Sequence, residues 1–368
     1  LYRWSLIGEG EKMEERIKRL RSRLNKAEID ALLINNPQNR QYLTGFTGTA
    51  GVVLISEEEA ELITDFRYIE QAKDEAQDYK IVKQGDNKLE TINRLLEDAG
   101  IKRLGFEADE ITYQQYGKYK DELNVELKAT TGLVKELRQT KDESEIEKIS
   151  RAVEITDNAF ATIQDKFEVG VVEQEIALEL EFLQKKQGAA KNAFDFIVAS
   201  GARGALPHGV ASEKEIAAGD LVTMDFGAVY HGYHSDMTRT VMVGAEPTEK
   251  QQEVYHLVLE AQQVALEAIG PGKTGSEIDR VARDIIADAG YGPNFGHGLG
   301  HSLGLEIHEQ PRFSRQDDTV IKPGMVITVE PGVYIPDWGG VRIEDIVVVR
   351  EDGCEILTNS PKELLVYN

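Results

Sequence analysis

Apolar and polar positions alternate with two different periods along the first part of the chain. A charged amphipathic pattern with helical spacing covers 11–26, and an apolar run, "DALLINN", follows at 30–36. These patterns predict a helix and then a buried strand. Two more apolar runs, "GVVLIS" (51–56) and "AELITDF" (60–66), predict a hairpin. The other elements predicted here are strands at 79–83 and 103–109 and helices at 89–99 and 112–121. This alternation predicts an α/β domain.

A polar stretch, "RQTKDESE" (138–145), separates this domain from a second half with a different pattern. Thr140 is the predicted N-cap of a new helix, because acidic residues follow it in the first turn. We therefore expect two domains, at 13–137 and 141–368. Long helical patterns in the second domain cover 142–165, 172–187, 248–269 and 275–289. Strands and turns make up its C-terminal part, so this domain is predicted to be α+β.

Composition and charge narrow the class of protein. The 368 residues are 41% hydrophobic, and no apolar run reaches the ~18 residues of a membrane span. A formal net charge of −23 at pH 7 argues against binding to a nucleic-acid backbone. The single cysteine, Cys354, excludes an intramolecular disulfide and predicts a cytoplasmic protein. The first residues do not resemble a secretory signal, and residues 1–12 have two interpretations, an added tag or an extended start.

Two aspartates lie in the segment 221–243, "LVTMDFGAVYHGYHSDMTRTVMV", which is predicted to form two strands folded about His231–Gly232. In that register Asp225 lies opposite Thr238, and Asp236 is its diagonal neighbour on the same face. Two acids placed together among apolar residues repel each other and resist ionisation unless a cation neutralises them. The alternative, a turn aspartate exposed to water, fits Asp225 poorly because its neighbours are apolar.

Two glutamates repeat this pattern downstream. Glu330 ends the apolar strand of "GMVITVEPGVY", and Glu344 is predicted to lie inside the strand of "GGVRIEDIVVV". A buried glutamate is rare without a partner. One interpretation is an ion pair between Arg342 and one of these glutamates. The interpretation that we favour is a dinuclear metal site, because four carboxylates balance the charge of two divalent cations.

Three histidines, His297, His301 and His308, lie in the glycine-rich segment 296–309, "GHGLGHSLGLEIHE". A helix is disfavoured, because each glycine costs about 1 kcal/mol in a helix interior. Glycines at alternate positions instead predict a strand or loop whose backbone another group approaches closely. Carboxylates with one imidazole and no thiolate favour Mn²⁺ as the metal, with Co²⁺ and Zn²⁺ as alternatives.

Several of these segments together resemble a known family. They are "DFGAVYHGYHSDMTRT", "GHGLGHSLGLEIHEQPR", "TVEPGVY" and "GGVRIED". In this combination they resemble the metal-dependent Xaa-Pro peptidases of the pita-bread fold, which include prolidase and aminopeptidase P. The N-terminal domain that creatinases and prolidases share is similar to "NPQNRQYLTGFTGTAGVVLIS" and "ITDFRYIEQA". The resemblance implies an α/β creatinase-like N-terminal domain followed by an α+β pita-bread catalytic domain, in a homodimer.

The resemblance also implies roles for the candidate residues. Five of them would hold two divalent metal ions: Asp225 on one ion, Asp236 and Glu344 bridging both, and His301 and Glu330 on the second. Glu330 would also take the proton of the bridging water, and His308 would support the tetrahedral intermediate. His208, in "LPHGVAS", and His297 would contact the residue after the cut.

Arg312, in "HEQPR", resembles an arginine with which prolidases grip the free carboxylate of a dipeptide. The alternative is an ordinary surface arginine. Arg342 and Thr238 are expected to orient the ligand carboxylates. The remaining histidines are interpreted as ordinary core residues outside the site: His231, His234 and His256.

The predicted function is hydrolysis of the Xaa-Pro peptide bond, in dipeptides, by a metal-bridging hydroxide. An aminopeptidase P that acts on longer Xaa-Pro peptides is the alternative within the same class. A catalytically inactive peptide-binding module is the alternative from another class, but such modules lose metal ligands and this sequence has lost none. The expected partners are an Xaa-Pro dipeptide or short peptide and a second copy of the chain, with no nucleic acid and no membrane.

Overall fold

The structure, a computed structural model, describes residues 7–367. What was predicted for residues 1–6 therefore lies outside the described residues. The first helix begins at Ile7, earlier than the predicted start at position 11. The chain forms two units and passes from one to the other between Arg138 and Gln139.

A six-stranded mixed sheet forms the centre of the N-terminal unit. Its elements are α1 (Ile7–Lys26), β1 (Ala31–Ile34), α2 (Pro37–Thr44), β2 (Val52–Ser56), β3 (Ala60–Thr64), α3 (Ile69–Glu75), β4 (Lys80–Lys83), α4 (Lys88–Asp98), β5 (Arg103–Glu107), α5 (Tyr113–Glu122), β6 (Glu126–Thr130) and α6 (Lys135–Arg138). The strand order is β4-β3-β2-β1-β5-β6, with β1 antiparallel to β2 and parallel to β5. All four residues of β1 are buried, which explains its continuous apolar run.

Helix α2 was not predicted, because the residues around its start, "NNPQ" (35–38), are typical of turns. Asn36 caps the helix by accepting a hydrogen bond from the backbone N–H of Asn39, and Pro37 occupies the first turn. Gly45 ends the helix in the left-handed conformation, with φ of 75°. Residues that usually mark a turn here serve as the two caps of a short helix.

Strands of several small sheets and two pairs of long helices make up the C-terminal unit. Its elements are α7 (Glu143–Ile163), α8 (Glu173–Lys186), β7 (Lys191–Asn192), β8 (Ile197–Ser200), β9 (Asp220–Phe226), β10 (Ala228–Tyr230), β11 (Tyr233–His234), β12 (Met237–Val243), α9 (Glu249–Ala268), α10 (Gly275–Asp288), β13 (Gly300–Ser302), β14 (Glu309–Phe313), β15 (Val326–Val329), β16 (Gly332–Ile335), β17 (Gly339–Arg342), β18 (Asp345–Arg350), β19 (Gly353–Ile356) and β20 (Val366–Tyr367). One sheet has the order β20-β12-β9-β8, and another has the order β14-β13-β15-β18-β19. Helices α7 and α8 share a core with β8, β9 and β12, whereas α9 and α10 pack on β15 and β18.

Helix α7 has Asp142 as its N-cap, so the prediction of Thr140 was wrong. The Asp142 side chain accepts hydrogen bonds from the backbone N–H groups of Ser144 and Glu145, and the Glu145 side chain accepts one from the Asp142 N–H. A carboxylate at this position also interacts favourably with the helix dipole, which a hydroxyl does not.

The predicted hairpin of 221–243 is present in the predicted register. Asp225 pairs with Thr238 between β9 and β12, and Tyr230 pairs with Tyr233 at the turn. Asp236 lies in the short link between β11 and β12. The two aspartates therefore come from one hairpin, one within a strand and one beside it.

Glu344 does not lie inside a strand, as predicted, but in a two-residue link between β17 and β18. Before this link Arg342 pairs with Gly332 of β16, and after it Asp345 pairs with Val329 of β15. The strand before Glu344 therefore pairs with β16 and the strand after it pairs with β15, so the β16–β17 ladder ends before Glu344. Glu330 lies in the corresponding link between β15 and β16. We call Asp236, Glu330 and Glu344 the junction acids, because each lies where the chain leaves one sheet for another.

Candidate metal centre and active site

The predicted metal ligands meet in one cavity of the C-terminal unit, with a volume of about 590 Å³. Every predicted site residue except Thr238 lines it: His208, Asp225, Asp236, His297, His301, His308, Arg312, Glu330, Arg342 and Glu344. Ligand atoms of Asp236, His301 and Glu344 all lie within 4.8 Å of one another. His301 Nε2 is 3.4 Å from Glu330 Oε1 and 3.5 Å from Asp236 Oδ2.

Asp225 and Glu344 each have one carboxylate oxygen that the described part of the protein leaves unbound. Arg342 Nη2 donates to Asp225 Oδ2 at 2.6 Å, and Thr238 Oγ1 donates to Glu344 Oε2 at 2.7 Å. The second oxygens, Asp225 Oδ1 and Glu344 Oε1, are buried with no hydrogen-bond partner among residues 7–367. Buried carboxylate oxygens without donors are costly, so these two atoms fit the ligand set of a cation.

Burial and mutual repulsion oppose the ionisation of the junction acids. Burial raises the pKa of Asp236 and of Glu344 well above ordinary carboxyl values, and the neighbouring carboxylates add to both shifts. Burial also raises the pKa of Glu330 to about 8, against the opposing charge of Arg342. Divalent cations would supply the positive charge that this cluster needs, and oxygen donors with one imidazole suit such ions.

The tautomer of His301 is fixed by its own segment. Its Nδ1 lies 3.2 Å from the carbonyl oxygen of Ser302, which can only accept a hydrogen bond, so Nδ1 carries the proton. Burial lowers the pKa of His301 to about 3, with the charge of His308 next in effect, and the ring stays neutral at pH 7. Its Nε2 lone pair is therefore available to a metal, as expected of a ligand histidine.

Arg342 pairs with Asp225, so the interpretation that paired it with Glu330 or Glu344 was wrong. The pairing follows from the hydrogen bonds that fix the guanidinium on the β9–β12 hairpin, where Nε donates to Thr238 Oγ1 at 3.0 Å. Thr238 in turn donates to Glu344. Arg342 therefore contacts the carboxylate of Asp225, and Thr238 contacts that of Glu344. Both residues were predicted to orient ligand carboxylates.

Tyr334 was missed by the sequence analysis. Its hydroxyl accepts from Arg342 Nη1 at 2.8 Å and donates to His297 Nε2 at 2.9 Å. The other ring nitrogen of His297, Nδ1, donates to the Gly298 carbonyl at 2.8 Å. Both nitrogens of His297 are therefore bonded within the protein, and burial lowers its pKa to about 4. The only sequence signal for Tyr334 was its place after Glu330 in "EPGVY", where it resembles an ordinary strand residue.

The exposed part of the cavity carries the other predicted substrate-binding residues. His208, His308 and Arg312 are all exposed and line it. The His308 ring packs edge-on against His301, with ring centroids 4.4 Å apart. Arg312 pairs with His301 across β13 and β14. Apolar side chains form part of the remaining lining: Phe194, Ile197, Pro207, Val210 and Ile307.

The three histidines left out of the site do not line this cavity. His234 is buried and its Nδ1 lies 3.0 Å from the Gly304 carbonyl, so its interpretation as a core histidine was correct. His231 and His256 are exposed, so the same interpretation was wrong for both. His231 occupies a turn with φ of 47°, and His256 lies on the solvent side of α9.

Comparison with known proteins assigns both halves of the chain. Residues 147–351 match the model of metallopeptidase family M24, and residues 16–140 match the creatinase/prolidase N-terminal domain. The chain belongs to metallopeptidase family M24. A protein named Xaa-Pro dipeptidase from Pyrococcus horikoshii is 44% identical over 96% of this chain and 99% of its own.

Two solved structures extend this finding to the fold. The structure titled Xaa-Pro dipeptidase from Bacillus anthracis has a TM-score of 0.95 and 50% identity, over 96% of this peptidase and 99% of that chain. An X-Pro aminopeptidase from Thermotoga maritima has a TM-score of 0.89 and 41% identity, over 95% and 99% of the two chains. The predicted fold class, a creatinase-like N-terminal domain followed by a pita-bread catalytic domain, is confirmed.

Family membership also confirms that the protein is a hydrolase of the metallopeptidase class. The cluster of Asp236, His301 and Glu344 is a candidate site for the divalent ions of such an enzyme. None of the described helices combines the length and the apolar content that crossing a bilayer requires.

Proposed function

We propose that this peptidase hydrolyses the Xaa-Pro bond of dipeptides, as a prolidase. The observation that carries the proposal is the convergence of the predicted ligands and Arg312 on one cavity. The names of the Bacillus anthracis and Pyrococcus horikoshii relatives support the substrate class, because the similarity to both extends over nearly the whole chain. The predicted domains, 13–137 and 141–368, remain our proposal for the creatinase-like and catalytic parts.

Two divalent ions would be held by the five predicted ligands: Asp225, Asp236, His301, Glu330 and Glu344. When bound, such ions lower the pKa of a coordinated water and polarise the scissile carbonyl. The unbound oxygens of Asp225 and Glu344 and the free Nε2 of His301 support these three as ligands. We propose Mn²⁺ as the ion, because hard oxygen donors dominate this set and no thiolate joins it.

Glu330 is our candidate for moving the proton. Thr328 Oγ1 donates to its Oε1 at 3.2 Å, and the carboxylate lies beside His301 in the cavity lining. In its ionised form, a carboxylate at this position would accept a proton from the attacking water and pass it on. The proline nitrogen must be protonated as the C–N bond breaks so that it leaves as an amine, and the proton taken from the water would serve for this.

Arg312 and the apolar wall are our candidates for recognising the dipeptide. Arg312 lies directly across the strand pair from His301, so its guanidinium would face a substrate held beside the metal ligands. A guanidinium binds a carboxylate with two parallel hydrogen bonds. Phe194, Ile197 and Val210 would contact the apolar parts of the substrate, including the proline ring.

An aminopeptidase acting on longer Xaa-Pro peptides is the second candidate. It is favoured by the similarity to the Thermotoga maritima X-Pro aminopeptidase. A longer peptide would not place a free carboxylate beside Arg312, so the two candidates differ in their need for this side chain.

The test uses protein stripped of metal and reloaded with Mn²⁺, Co²⁺ or Zn²⁺ in turn. Each form is given an Xaa-Pro dipeptide and a longer Xaa-Pro peptide, and Asp236→Ala serves as the inactive control. We expect cleavage of the dipeptide, with the highest rate in Mn²⁺. Arg312→Met should then raise KM for the dipeptide, whereas Arg315→Met, an exposed arginine outside the cavity lining, should not. Cleavage of the longer peptide alone would make the protein an aminopeptidase.

We also propose a homodimer in the cytoplasm. The family resemblance supports the dimer, and the single cysteine supports a reducing compartment. Sedimentation velocity at micromolar concentration should give the mass of two chains. A monomer in that experiment contradicts the proposed assembly.

A further inference from the structure

Three histidines of the cavity lie outside strands: His208, His297 and His308. The first two lie on segments that a buried ion pair contacts. His208 lies in the segment 201–211 between β8 and β9, which we call the His208 loop. His297 lies in the segment 295–299 before β13, which we call the His297 loop. Apart from the 3-10 helix Gly201–Ala205 and one isolated bridge between Val210 and Ile197, these two segments have no regular backbone pairing. Side chains therefore contribute to holding the two histidines in place.

The His208 loop is held by a buried carboxylate behind it. Glu173, the first residue of α8, is fully buried. Its Oε1 accepts from the N–H and hydroxyl of Ser200, and its Oε2 accepts from the N–H and hydroxyl of Ser212, at 2.7 to 3.1 Å. One carboxylate thus binds the residues on both sides of the loop. Arg203, within the loop, completes the arrangement by pairing with Glu173 and donating to the Val210 carbonyl at 2.8 Å.

The His297 loop is held in the same way from α10. Asp279 is buried and pairs with Arg283 through both carboxylate oxygens, at 2.7 and 2.8 Å. Arg283 donates to the carbonyl oxygens of Phe295 and His297 at 2.9 and 2.7 Å, and Asp279 accepts from the N–H of Leu299 at 3.0 Å. The ion pair therefore binds every second residue of the loop.

The two arrangements share one design. In each, a buried carboxylate accepts from backbone N–H within or beside the loop, and the arginine paired with it donates to at least one backbone carbonyl of the loop. None of the four side chains lines the cavity. We propose that Arg203 and Arg283 are positioning residues, which fix His208 and His297 respectively through their loops.

A lysine cannot replace either arginine. Arg283 donates to Asp279 and to two carbonyls at once, and Arg203 spans Glu173 and the Val210 carbonyl. A lysine keeps the positive charge beside the buried carboxylate, so the fold should survive, but its single ammonium cannot reach all of these acceptors. Arg203→Lys and Arg283→Lys thus change the geometry while keeping the charge.

The experiment measures kcat and KM of the metal-loaded protein for the two lysine variants, alone and combined with His208→Ala or His297→Ala. Each lysine variant should lower kcat/KM about tenfold to a hundredfold, because small displacements of substrate-contacting groups have effects of this size. Arg203→Lys should have less than about a twofold effect in the His208→Ala protein but its full effect in the His297→Ala protein. Arg283→Lys should show the reverse. Arg151→Lys, in an exposed ion pair of α7, is the matched control and should change nothing.

The crossed design separates positioning from general weakening of the fold. A variant that only destabilises the protein would have the same effect in both histidine backgrounds, and that result would overturn the proposal. So would kcat/KM values that stay within about twofold of the parent protein.

Hydrogen exchange gives a second readout that does not depend on the proposed function. Amides of 201–211 should exchange faster only in Arg203→Lys, and those of 295–299 only in Arg283→Lys. Unchanged exchange, or faster exchange throughout the catalytic unit, would contradict the proposal. If the parent protein cleaves no Xaa-Pro peptide, the proposed function fails, and the exchange data alone decide whether the arginines fix the loops.

Discussion

The Tyr334 hydroxyl connects two groups of the cavity, because it accepts from Arg342 and donates to His297. Its pKa is raised by burial to about 12, so the hydroxyl keeps its proton at neutral pH and can donate. Tyr334→Phe removes this oxygen while keeping the ring. We expect a loss of about 0.5–1.5 kcal/mol in the free energy of unfolding and a lower kcat/KM, because His297 and Arg342 lose a shared partner.

A second buried tyrosine provides the matched control. Tyr255 donates to the Lys362 carbonyl at 2.9 Å and does not line the cavity. Tyr255→Phe should cost a similar amount of stability and leave kcat/KM unchanged. Denaturant unfolding and steady-state kinetics on both variants check this, and equal kinetic effects would refute a specific role for Tyr334.

The pKa of Glu330 predicts how the stability of the metal-free protein depends on pH. The folded protein binds this proton up to a pKa of about 8, whereas the ordinary value is 4.5. Between these values the folded state holds more protons than the unfolded state, so the free energy of unfolding falls as pH rises. The slope is about 1.4 kcal/mol per pH unit for each such group, and the raised pKa values of Asp236 and Glu344 act in the same direction.

Thermal unfolding between pH 5 and 8 measures this effect. Chelator-treated protein should lose stability as pH rises, and Glu330→Gln should make the curve less steep. Metal-loaded protein should not show this loss, because ligands bind metal in their deprotonated form. A melting temperature of the metal-free protein that rises over this range would contradict the prediction.

From sequence alone, a functional residue can be recognised when its type is unusual among its neighbours in the chain. Asp225 and Glu330 were found because an acid among apolar residues is rare. Tyr334 was not recognised, because a tyrosine is common in an apolar strand. The partner of Arg342 was sought between Glu330 and Glu344, because the sequence does not give the distance that places Asp225 beside it.

Gly300 allows two strands of the metal centre to approach each other. A Cβ at this position would lie 1.9 Å from the backbone oxygen of Thr328. The neighbouring His301 N–H donates to Thr328 Oγ1 at 3.0 Å, so the same contact positions a predicted ligand. Gly300→Ala should therefore push β13 away from β15, with a loss of about 1–3 kcal/mol in stability and weaker metal binding.

Gly296 is the matched control, because a Cβ there has no atom within 4 Å. Gly296→Ala should change stability by no more than about 0.5 kcal/mol and leave metal binding intact. Calorimetric titration with Mn²⁺ on both variants tests the pair. Full metal affinity in Gly300→Ala would show that the close approach is not required.

Element boundaries were harder to predict than element types. The alternate glycines of 296–309 correctly predicted a strand or loop, and the β9–β12 register followed from its turn residues. Helix α2 was missed because Asn and Pro serve both as turn residues and as helix caps. Glu344 was placed inside one strand because the apolar run continues through it, although the backbone changes its partner there.

The net charge of −23 at pH 7 predicts a preference at the scale of the whole molecule. A strongly acidic protein attracts cationic substrates and repels anionic ones, and salt screens both effects. If the proposed function holds, kcat/KM for Lys-Pro relative to Glu-Pro should fall severalfold between about 10 mM and about 500 mM salt. Neutral Ala-Pro should change little, and a ratio independent of salt would show that the overall charge does not guide the substrate.

The fold class was predictable because the patterns of the two halves differ and because several motifs resemble one family together. The site residues lie more than a hundred positions apart, from Asp225 to Glu344. Charge balance suggested that the four acids share a metal site, and the resemblance gave each residue its role. The substrate depends on the depth and lining of the cavity, which follow from packing and not from any single motif.

The junction acids have a consequence for how this scaffold can change over evolutionary time. The backbones of Glu330 and Glu344 are held by bonds from their own N–H groups to the Leu299 and Thr238 carbonyls, whatever the side chain. Replacing such an acid removes one buried charge from a cluster of like charges, which lessens their repulsion, and it does not unpair a strand. The metal site can therefore be lost through single substitutions while these backbone bonds survive, so strand pairing does not by itself require the carboxylates.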